Sequence, residues 1–241
     1  MIFHLNVFNN FESKMNEKKI AADYSVNFIE DGMIVGLGTG STVAFMLQKL
    51  SERIKAGLNI TAVSTSQATT KLANSFGIKL IKLSDVDEID VTIDGADEVD
   101  ENLNGIKGGG GALLHEKIIA SNSKQNIWII DSSKLVKTLG KFPLPVEVVK
   151  LGYTHLCVKL ETIGLKPTIR MSKNKLLITD ENNYIVDLKM EKILNPAALD
   201  SKLKSFAGVV ETGLFYGIAD TVIAGMGNKI KIFNKKKREQ T

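Results

Sequence analysis

Acidic, basic and glycine residues are concentrated between Asp94 and Glu116, in a pattern that suits proton transfer. Asp94 and Asp97 follow an alternating apolar run that predicts a strand, so both should lie just beyond its carboxyl end. Lys107 precedes four consecutive glycines, Gly108–Gly111, which allow peptide N–H groups to approach an anionic or polar ligand. An acidic turn with a glycine linker is the alternative, but the order strand, glycine run, helix favours a site.

A carboxylate beside a lysine and peptide N–H donors suits abstraction of a proton next to a carbonyl. Glu116 lies in the first turns of the helix predicted after the glycines, where it can point back toward them. It would take a carbon-bound proton while the donors hold the enediolate oxygens. His115 suggests a catalytic pair with it, but adjacent helical residues point about 100° apart. An exposed or packed histidine is therefore the favoured interpretation.

A second glycine-rich turn, GLGTGST at 36–42, follows a short apolar strand and begins a helix. It lacks the spacing of a dinucleotide fingerprint. The hydroxyls of Ser41 and Thr42, with the free N–H groups of a helix N-terminus, suit a phosphate monoester better. Helix capping by the same hydroxyls is the structural alternative. The turn 64–67 and Lys134 also follow predicted strands, so they should lie at the same edge of the sheet.

Composition and charge exclude several classes of protein. The 241 residues are 44% hydrophobic and 24% charged, which is ordinary for a soluble globular chain. No apolar run could span a membrane and no signal-peptide pattern occurs, so we expect a cytoplasmic protein without a membrane partner. The tail KKKREQT carries +3 of the net charge of +4, so nucleic-acid binding is not supported. His4, His115 and His155 are scattered, and no metal-binding spacing is present.

Alternating strands and helices predict an α/β protein with a mainly parallel sheet covered by helices. One of these strands is expected at 78–83. The pattern changes after residue 144 to a compact α+β order that resembles a split βαβ unit, and strands return to the large sheet near the C-terminus. We therefore predict an N-terminal extension, disordered or lightly packed, at 1–14, a Rossmann-like domain at 15–144 and 209–241, and an inserted small α+β domain at 145–208.

Six motifs, in their order and spacing, resemble ribose-5-phosphate isomerase of the A type. They are GLGTGST at 36–42, DGADEVD at 94–100, KGGGGALLHEK at 107–117, DSSK at 131–134, GKFPLPVEV at 140–148 and GVVETGLF at 208–215. The resemblance implies a Rossmann-like domain with a ferredoxin-like domain, a homodimer or homotetramer, and no metal or other cofactor. It also implies interconversion of D-ribose 5-phosphate and D-ribulose 5-phosphate in the non-oxidative pentose phosphate pathway.

The resemblance also assigns roles to residues of this chain. Glu116 matches the general base that moves a proton between C1 and C2 through an enediol(ate). Asp94 and Asp97 match acids that bind sugar hydroxyls and assist opening of the furanose ring. Lys107 and the glycine backbone match the group that stabilises the oxyanion. Further substrate contacts are implied for Thr39, Gly40, Ser41, Thr42, Gly95, Ala96, Gly108, Gly109, Gly110 and Lys134, with Lys18 or Lys19 near the phosphate. His115 departs from the family, where an arginine is more usual.

Two other functions fit parts of this pattern. A non-catalytic sugar-phosphate sensor would need the phosphate site but not Glu116, and would normally carry an output module such as a helix-turn-helix. A coenzyme A transferase-like enzyme would use its carboxylate as a nucleophile and form a covalent adduct. The combination of Lys107, the glycines and Glu116 favours catalysis, and an isomerase would leave no covalent intermediate.

Overall fold

The structure, a computed structural model, describes residues 2–236, with side chains from Glu12 onward. Within this range the helices are α1 (Ile2–Ser25), α2 (Ser41–Lys55), α3 (Gln67–Ser75), α4 (Leu113–Ser121), α5 (Tyr153–Thr162) and α6 (Pro196–Lys204), with 3-10 turns at Val26–Phe28, Leu83–Asp85 and Ser132–Lys134. None of these helices is long and apolar enough to cross a membrane.

The strands are numbered along the chain. They are β1 (Ile34–Leu37), β2 (Thr61–Ser64), β3 (Ile89–Asp94), β4 (Glu98–Val99), β5 (Gly105–Ile106), β6 (Ser123–Asp131), β7 (Leu144–Val148), β8 (Pro167–Ile169), β9 (Met171–Ser172), β10 (Lys175–Leu176), β11 (Tyr184–Leu188), β12 (Val209–Thr212), β13 (Leu214–Phe215), β14 (Thr221–Met226) and β15 (Lys229–Asn234).

The central sheet has six strands in the order β15-β14-β6-β3-β1-β2. Its pairings are parallel except that of the edge strand β15, which forms an antiparallel hairpin with β14. Inner strands are continuous apolar runs, such as Ile127–Ile130 in β6, because both faces of the sheet are covered. The predicted mainly parallel α/β sheet is therefore confirmed, including the return of the last two strands.

The winding of the chain changes direction between β1 and β3. These strands are neighbours, and β2 lies on the other side of β1. The carboxyl ends of β1 at Leu37 and β3 at Asp94 therefore lie side by side, and the Gly38 N–H still donates to the Ile93 carbonyl at 2.9 Å. Open α/β sheets bind ligands in the crevice at such a point.

A second sheet has four antiparallel strands in the order β12-β7-β11-β8. With α5 and α6, these strands follow the chain order βαββαβ, which is the ferredoxin-like arrangement predicted from the sequence. Its core contains buried aliphatic residues such as Val146, Leu160 and Val186. A third, three-stranded sheet, β13-β5-β4, holds the chain immediately before Lys107. The boundaries between the two domains stay a prediction.

Two elements differ from those expected from the sequence. Helix α1 begins at Ile2, so it includes residues 2–14, for which no helix was predicted. The extension predicted at 1–14 as a unit apart from the Rossmann-like domain stays a prediction. These residues contain neither glycine nor proline, so nothing in their composition interrupts a helix. The segment 78–83 is not a strand but forms one bridge between Leu80 and Ala62 before the 3-10 turn that follows it.

Glu17 fastens α1 to the carboxyl edge of the central sheet. One buried carboxylate oxygen accepts a hydrogen bond from the Gly227 N–H at 2.7 Å. The other accepts from the N–H and hydroxyl of Ser132 at 3.0 and 2.7 Å. Close approach of the helix requires Gly225, because a Cβ there would lie 2.0 Å from the Glu17 carbonyl oxygen. These contacts hold the next residue, Lys18, at the crevice.

Glu17→Gln should lower the free energy of unfolding by about 1–3 kcal/mol, because an amide donor would face N–H and hydroxyl donors in a buried position. Urea unfolding measures this change. Glu12→Gln, on the exposed side of the same helix, is the matched control and should leave the midpoint unchanged. Equal midpoints for the two variants would contradict the assigned role of Glu17.

Candidate active site

The predicted site residues gather around one cavity at the carboxyl edge of the central sheet. The cavity measures about 590 Å³ with its solvent-open mouth, which suits a small ligand. Its lining residues are Lys18, Thr39, Gly40, Ser41, Thr42, Gly95, Ala96, Asp97, Lys107, Gly108, Gly109, Gly110, Glu116, Ile130 and Lys134. Every residue predicted to bind substrate is in this set except Asp94.

Three buried charges form the floor of the site. The ammonium nitrogen of Lys107 lies 2.9 Å from a carboxylate oxygen of Asp94 and 3.3 Å from Oε2 of Glu116. It also donates a hydrogen bond to the Gly95 carbonyl at 2.6 Å. All three charged side chains are almost completely buried. Lys107 therefore stabilises two carboxylates that would otherwise repel each other in a low-dielectric region.

Asp94 is held by the protein on both sides. Its Oδ1 accepts hydrogen bonds from the N–H of Thr39 at 2.9 Å and from the N–H of Gly95 at 2.7 Å, while Oδ2 pairs with Lys107. Gly38 must lack a side chain, because a Cβ there would lie 2.1 Å from this carboxylate. Asp94 thus ties the two glycine-rich turns and the lysine together beneath the cavity.

The charge of Lys107 is supported by its surroundings. Burial lowers the pKa of Lys107, but the carboxylates of Asp94 and Glu116 outweigh burial, so the pKa lies above its ordinary value. The ammonium also lies 5.3 Å from the ring centroid of the buried Phe215, an additional cation–π contact. Lys107 is therefore a fixed positive charge at the cavity wall.

Glu116 has the properties of a general base. Burial raises the pKa of Glu116 to about 8, against the opposing effect of Lys107 and with a further increase from Asp94. Although Oε2 lies within ion-pair distance of Lys107, it has no hydrogen-bond partner within the described part of the chain. A carboxylate whose pKa lies near neutrality can both take and return a proton at physiological pH.

The glycine loop forms the wall beside these charges. The Gly109 N–H donates to a carboxylate oxygen of Asp97 at 2.7 Å, and a Cβ at Gly109 would lie 2.6 Å from the other oxygen. Gly108 and Gly111 have φ angles of +97° and +82°, which disfavour any other residue. The loop therefore brings its peptide groups closer to the cavity than side-chain-bearing residues would permit.

A further part of the cavity wall is the N-terminus of α2. Gly40, with φ of +124°, precedes the helix, so the first N–H groups after it have no partner within the helix. Ser41 lies 3.0 Å from the ammonium of Lys18, whereas Lys19 pairs with Asp23 away from the cavity. Of the two candidates Lys18 and Lys19, it is therefore Lys18 that lines the cavity, and Lys134 lines the same cavity.

The Thr39 hydroxyl and His115 have partners outside the cavity. Thr39 Oγ1 lies 2.8 Å from hydroxyls of both Thr65 and Ser66, so the predicted hydroxyl turn after β2 supports the site from behind. His115 Nε2 lies 2.6 Å from Oε1 of Glu181, on a different face of α4 from Glu116. This favours the interpretation of His115 as a packed histidine that pairs with Glu181 rather than with Glu116.

One wall residue was missed by sequence reasoning. Ile130 of β6 lines the cavity but was not predicted as a site residue, because strand alternation can place a residue on one face of a sheet but not at a cavity. No group of three or more His, Cys, Asp or Glu side chains within residues 12–236 is arranged to hold a metal ion. The expected absence of a cofactor stays a prediction.

The chain is similar to proteins named ribose-5-phosphate isomerase A. The sequence model of the family described as ribose 5-phosphate isomerase A (phosphoriboisomerase A) matches residues 61–229. The protein of this name from Bifidobacterium longum subsp. infantis is 53% identical over 213 residues, covering 88% of this chain and 92% of its own. That from Streptococcus thermophilus is 51% identical over 221 residues, covering 91% and 98%.

Solved structures with similar names share the fold. Ribose 5-phosphate isomerase from Plasmodium falciparum superposes with a TM-score of 0.88 at 36% identity, covering 92% of this chain and 98% of its own. A D-ribose-5-phosphate isomerase solved in complex with phospho-erythronic acid superposes with a TM-score of 0.87 at 42% identity, covering 90% and 97%.

The raised pKa of Glu116 makes a prediction about stability. Between the ordinary pKa of 4.5 and about 8, the folded protein keeps a proton that the unfolded chain releases. Stability should therefore fall as pH rises through this window, and the loss should be complete above the folded pKa. Glu116→Gln removes the titration, so its melting temperature should exceed that of the parent increasingly from about pH 5 to about pH 8. A difference in melting temperature between Glu116→Gln and the parent that does not change with pH, as expected for the exposed Glu12→Gln, would contradict the raised pKa of Glu116.

Proposed function

The chain belongs to the ribose-5-phosphate isomerase A family, and we propose that Glu116 is the base with which it interconverts D-ribose 5-phosphate and D-ribulose 5-phosphate. This aldose–ketose isomerisation is a step of the non-oxidative pentose phosphate pathway. The observation that carries the proposal is the buried Glu116 carboxylate, with a pKa raised to about 8, at the cavity wall and 3.3 Å from Lys107.

The reaction moves one proton between neighbouring carbons. In the open-chain aldose, Glu116 takes the proton from C2, the C–H electron pair forms a C1=C2 double bond, and the C1 carbonyl electrons move to O1. A proton then passes from O2 to O1, and protonated Glu116 returns its proton to C1 as the C2 carbonyl forms. Lys107 supports this sequence because its fixed positive charge stabilises negative charge on O1 and O2.

The two aspartates have different roles in this proposal. Asp97 lines the cavity, so its carboxylate is available to sugar hydroxyls and to assist opening of the furanose ring. Asp94 lies beneath the wall with both oxygens occupied by protein groups. It acts through Lys107, whose position and charge it maintains, rather than through the sugar.

The phosphate of the substrate is assigned to the part of the cavity wall formed by the N-terminus of α2 with Lys18 and Lys134. Lys18 and Lys134 supply two positive charges, and Ser41 and Thr42 begin a helix whose unpaired N–H groups favour an anion. The related structure containing phospho-erythronic acid supports a sugar-phosphate ligand of this kind. A homodimer or homotetramer and a cytoplasmic location stay predictions.

Isomerisation in deuterated water tests the base directly. The parent, stripped of metal ions, should convert D-ribose 5-phosphate to the ketose and incorporate deuterium at C1, as seen by NMR. Glu116→Gln should bind the substrate but lose turnover by about 10²-fold or more, because the base is absent. Glu147→Gln removes another buried carboxylate outside the cavity and should retain turnover. Substrate binding without turnover by the parent would instead indicate a sensor.

The assigned phosphate wall predicts a change in KM. Lys18→Met and Lys134→Met should each raise KM about tenfold or more, since loss of a charge-assisted hydrogen bond costs about 1.5–3 kcal/mol, with a smaller change in kcat. Each should also weaken inhibition by inorganic phosphate. Lys19→Met, one residue away and paired with Asp23, is the control that should leave KM unchanged. An equal KM in all three variants would place the phosphate elsewhere.

A further inference from the structure

A side chain from the ferredoxin-like unit reaches the glycine loop of the active site. Arg170 lies between β8 and β9, and its side chain is mostly buried. Its Nη1 donates to the carbonyl oxygens of Gly108 at 2.7 Å and Gly109 at 3.0 Å. The other side of the guanidinium binds Asp187 of β11, with Nε 2.8 Å from Oδ2 and Nη2 paired with Oδ1. One arginine thus joins the four-stranded sheet to the glycine loop.

These contacts determine which way two peptide groups face. In a trans peptide the C=O and the following N–H point in opposite directions. Because Arg170 binds the carbonyls of Gly108 and Gly109, the N–H groups of Gly109 and Gly110 point away from the guanidinium. The first of these donates to the cavity-lining Asp97 at 2.7 Å, and Gly110 itself lines the cavity.

We infer that Arg170, held in place by Asp187, is a positioning residue that fixes the peptide groups of the glycine loop, so that the Gly109 N–H holds Asp97 and the Gly110 N–H is directed toward the reacting oxygens. This rests on the proposed isomerase function. Glycine is the most flexible residue, so four in succession cannot keep their peptide groups in one orientation unaided. The guanidinium satisfies the requirement because its planar fork can bind a carboxylate and two carbonyls at once.

The four-stranded sheet therefore contributes to catalysis through Arg170, as well as contributing to the fold. Donors that are already oriented stabilise charge as it develops in the transition state without a cost of reorganisation. Arg170 does not line the cavity, so its removal should affect the transition state more than the bound substrate. This distinction separates a positioning role from a merely structural one.

Arg170→Lys tests the inference, because lysine keeps the charge but cannot bind Asp187 and both carbonyls together. We expect kcat to fall about 10- to 100-fold, as for other residues that orient a ligating group, while KM changes less. Affinity for phospho-erythronate, whose carboxylate resembles the charged enediolate, should fall by about the same factor as kcat/KM. The double variant Arg170→Lys with Asp187→Asn should lose little more than Arg170→Lys alone.

Arg53→Lys is the matched control. Arg53 Nη1 also donates to two backbone carbonyls, those of Val26 and Ile29, but it lies away from the cavity. The Arg53→Lys substitution should lower the melting temperature without changing kcat per folded molecule. Asp187→Asn alone provides a second test if Arg170→Lys does not fold. It should also lower kcat, because Asp187 holds the guanidinium of Arg170.

The outcomes separate this inference from the proposed function. Absence of turnover in the parent would contradict the isomerase itself. Normal kcat in folded Arg170→Lys and Asp187→Asn, with parent turnover intact, would overturn only the positioning role. Equal losses of kcat in Arg170→Lys and Arg53→Lys would likewise show that stability, rather than orientation of the glycine loop, explains the effect.

Discussion

The buried ammonium of Lys107 is the interaction on which the rest of the active site depends. It lies between the carboxylates of Asp94 and Glu116, where any one of the three charges alone would cost several kcal/mol of desolvation. One cation cannot fully neutralise two carboxylates, and Asp94 is already bound by two peptide N–H groups. Burial, and then repulsion from Asp94, therefore raise the pKa of Glu116, which is the property that a general base requires.

The fold brings these charges together from separate elements. Asp94 ends a central strand, Lys107 follows the middle strand of the three-stranded sheet, and Glu116 lies in the first turns of α4. The glycine loop joins the last two, and its close approach to Asp97 leaves no room for a side chain. Such a loop has little intrinsic order, so its geometry must come from neighbouring elements, among them Arg170 of the ferredoxin-like unit.

Much of the fold and of the site could be predicted because the patterns involved are local. Apolar runs separated by glycine-rich turns specify parallel strands, and the carboxyl edge of such a sheet is where Asp97 and Glu116 were expected and where they line the cavity. The start of α1 was predicted wrongly, since residues 2–14 lack a clear apolar period yet contain nothing that breaks a helix. Ile130 was not predicted at the site, because no local signal distinguishes an apolar residue on a core face from one in a cavity wall.

The sequence by itself determined the class of fold, the edge of the sheet that carries the chemistry, and most of the residues found there. Tertiary structure decided that Lys18 rather than Lys19 faces the cavity, that Asp94 lies beneath it, and that Arg170 reaches the glycine loop. The physical reason is the separation along the sequence of the residues that make each contact. Periodicity fixes the face or edge that a residue occupies, whereas a contact across 62 residues depends on how the ferredoxin-like unit packs against the glycine loop.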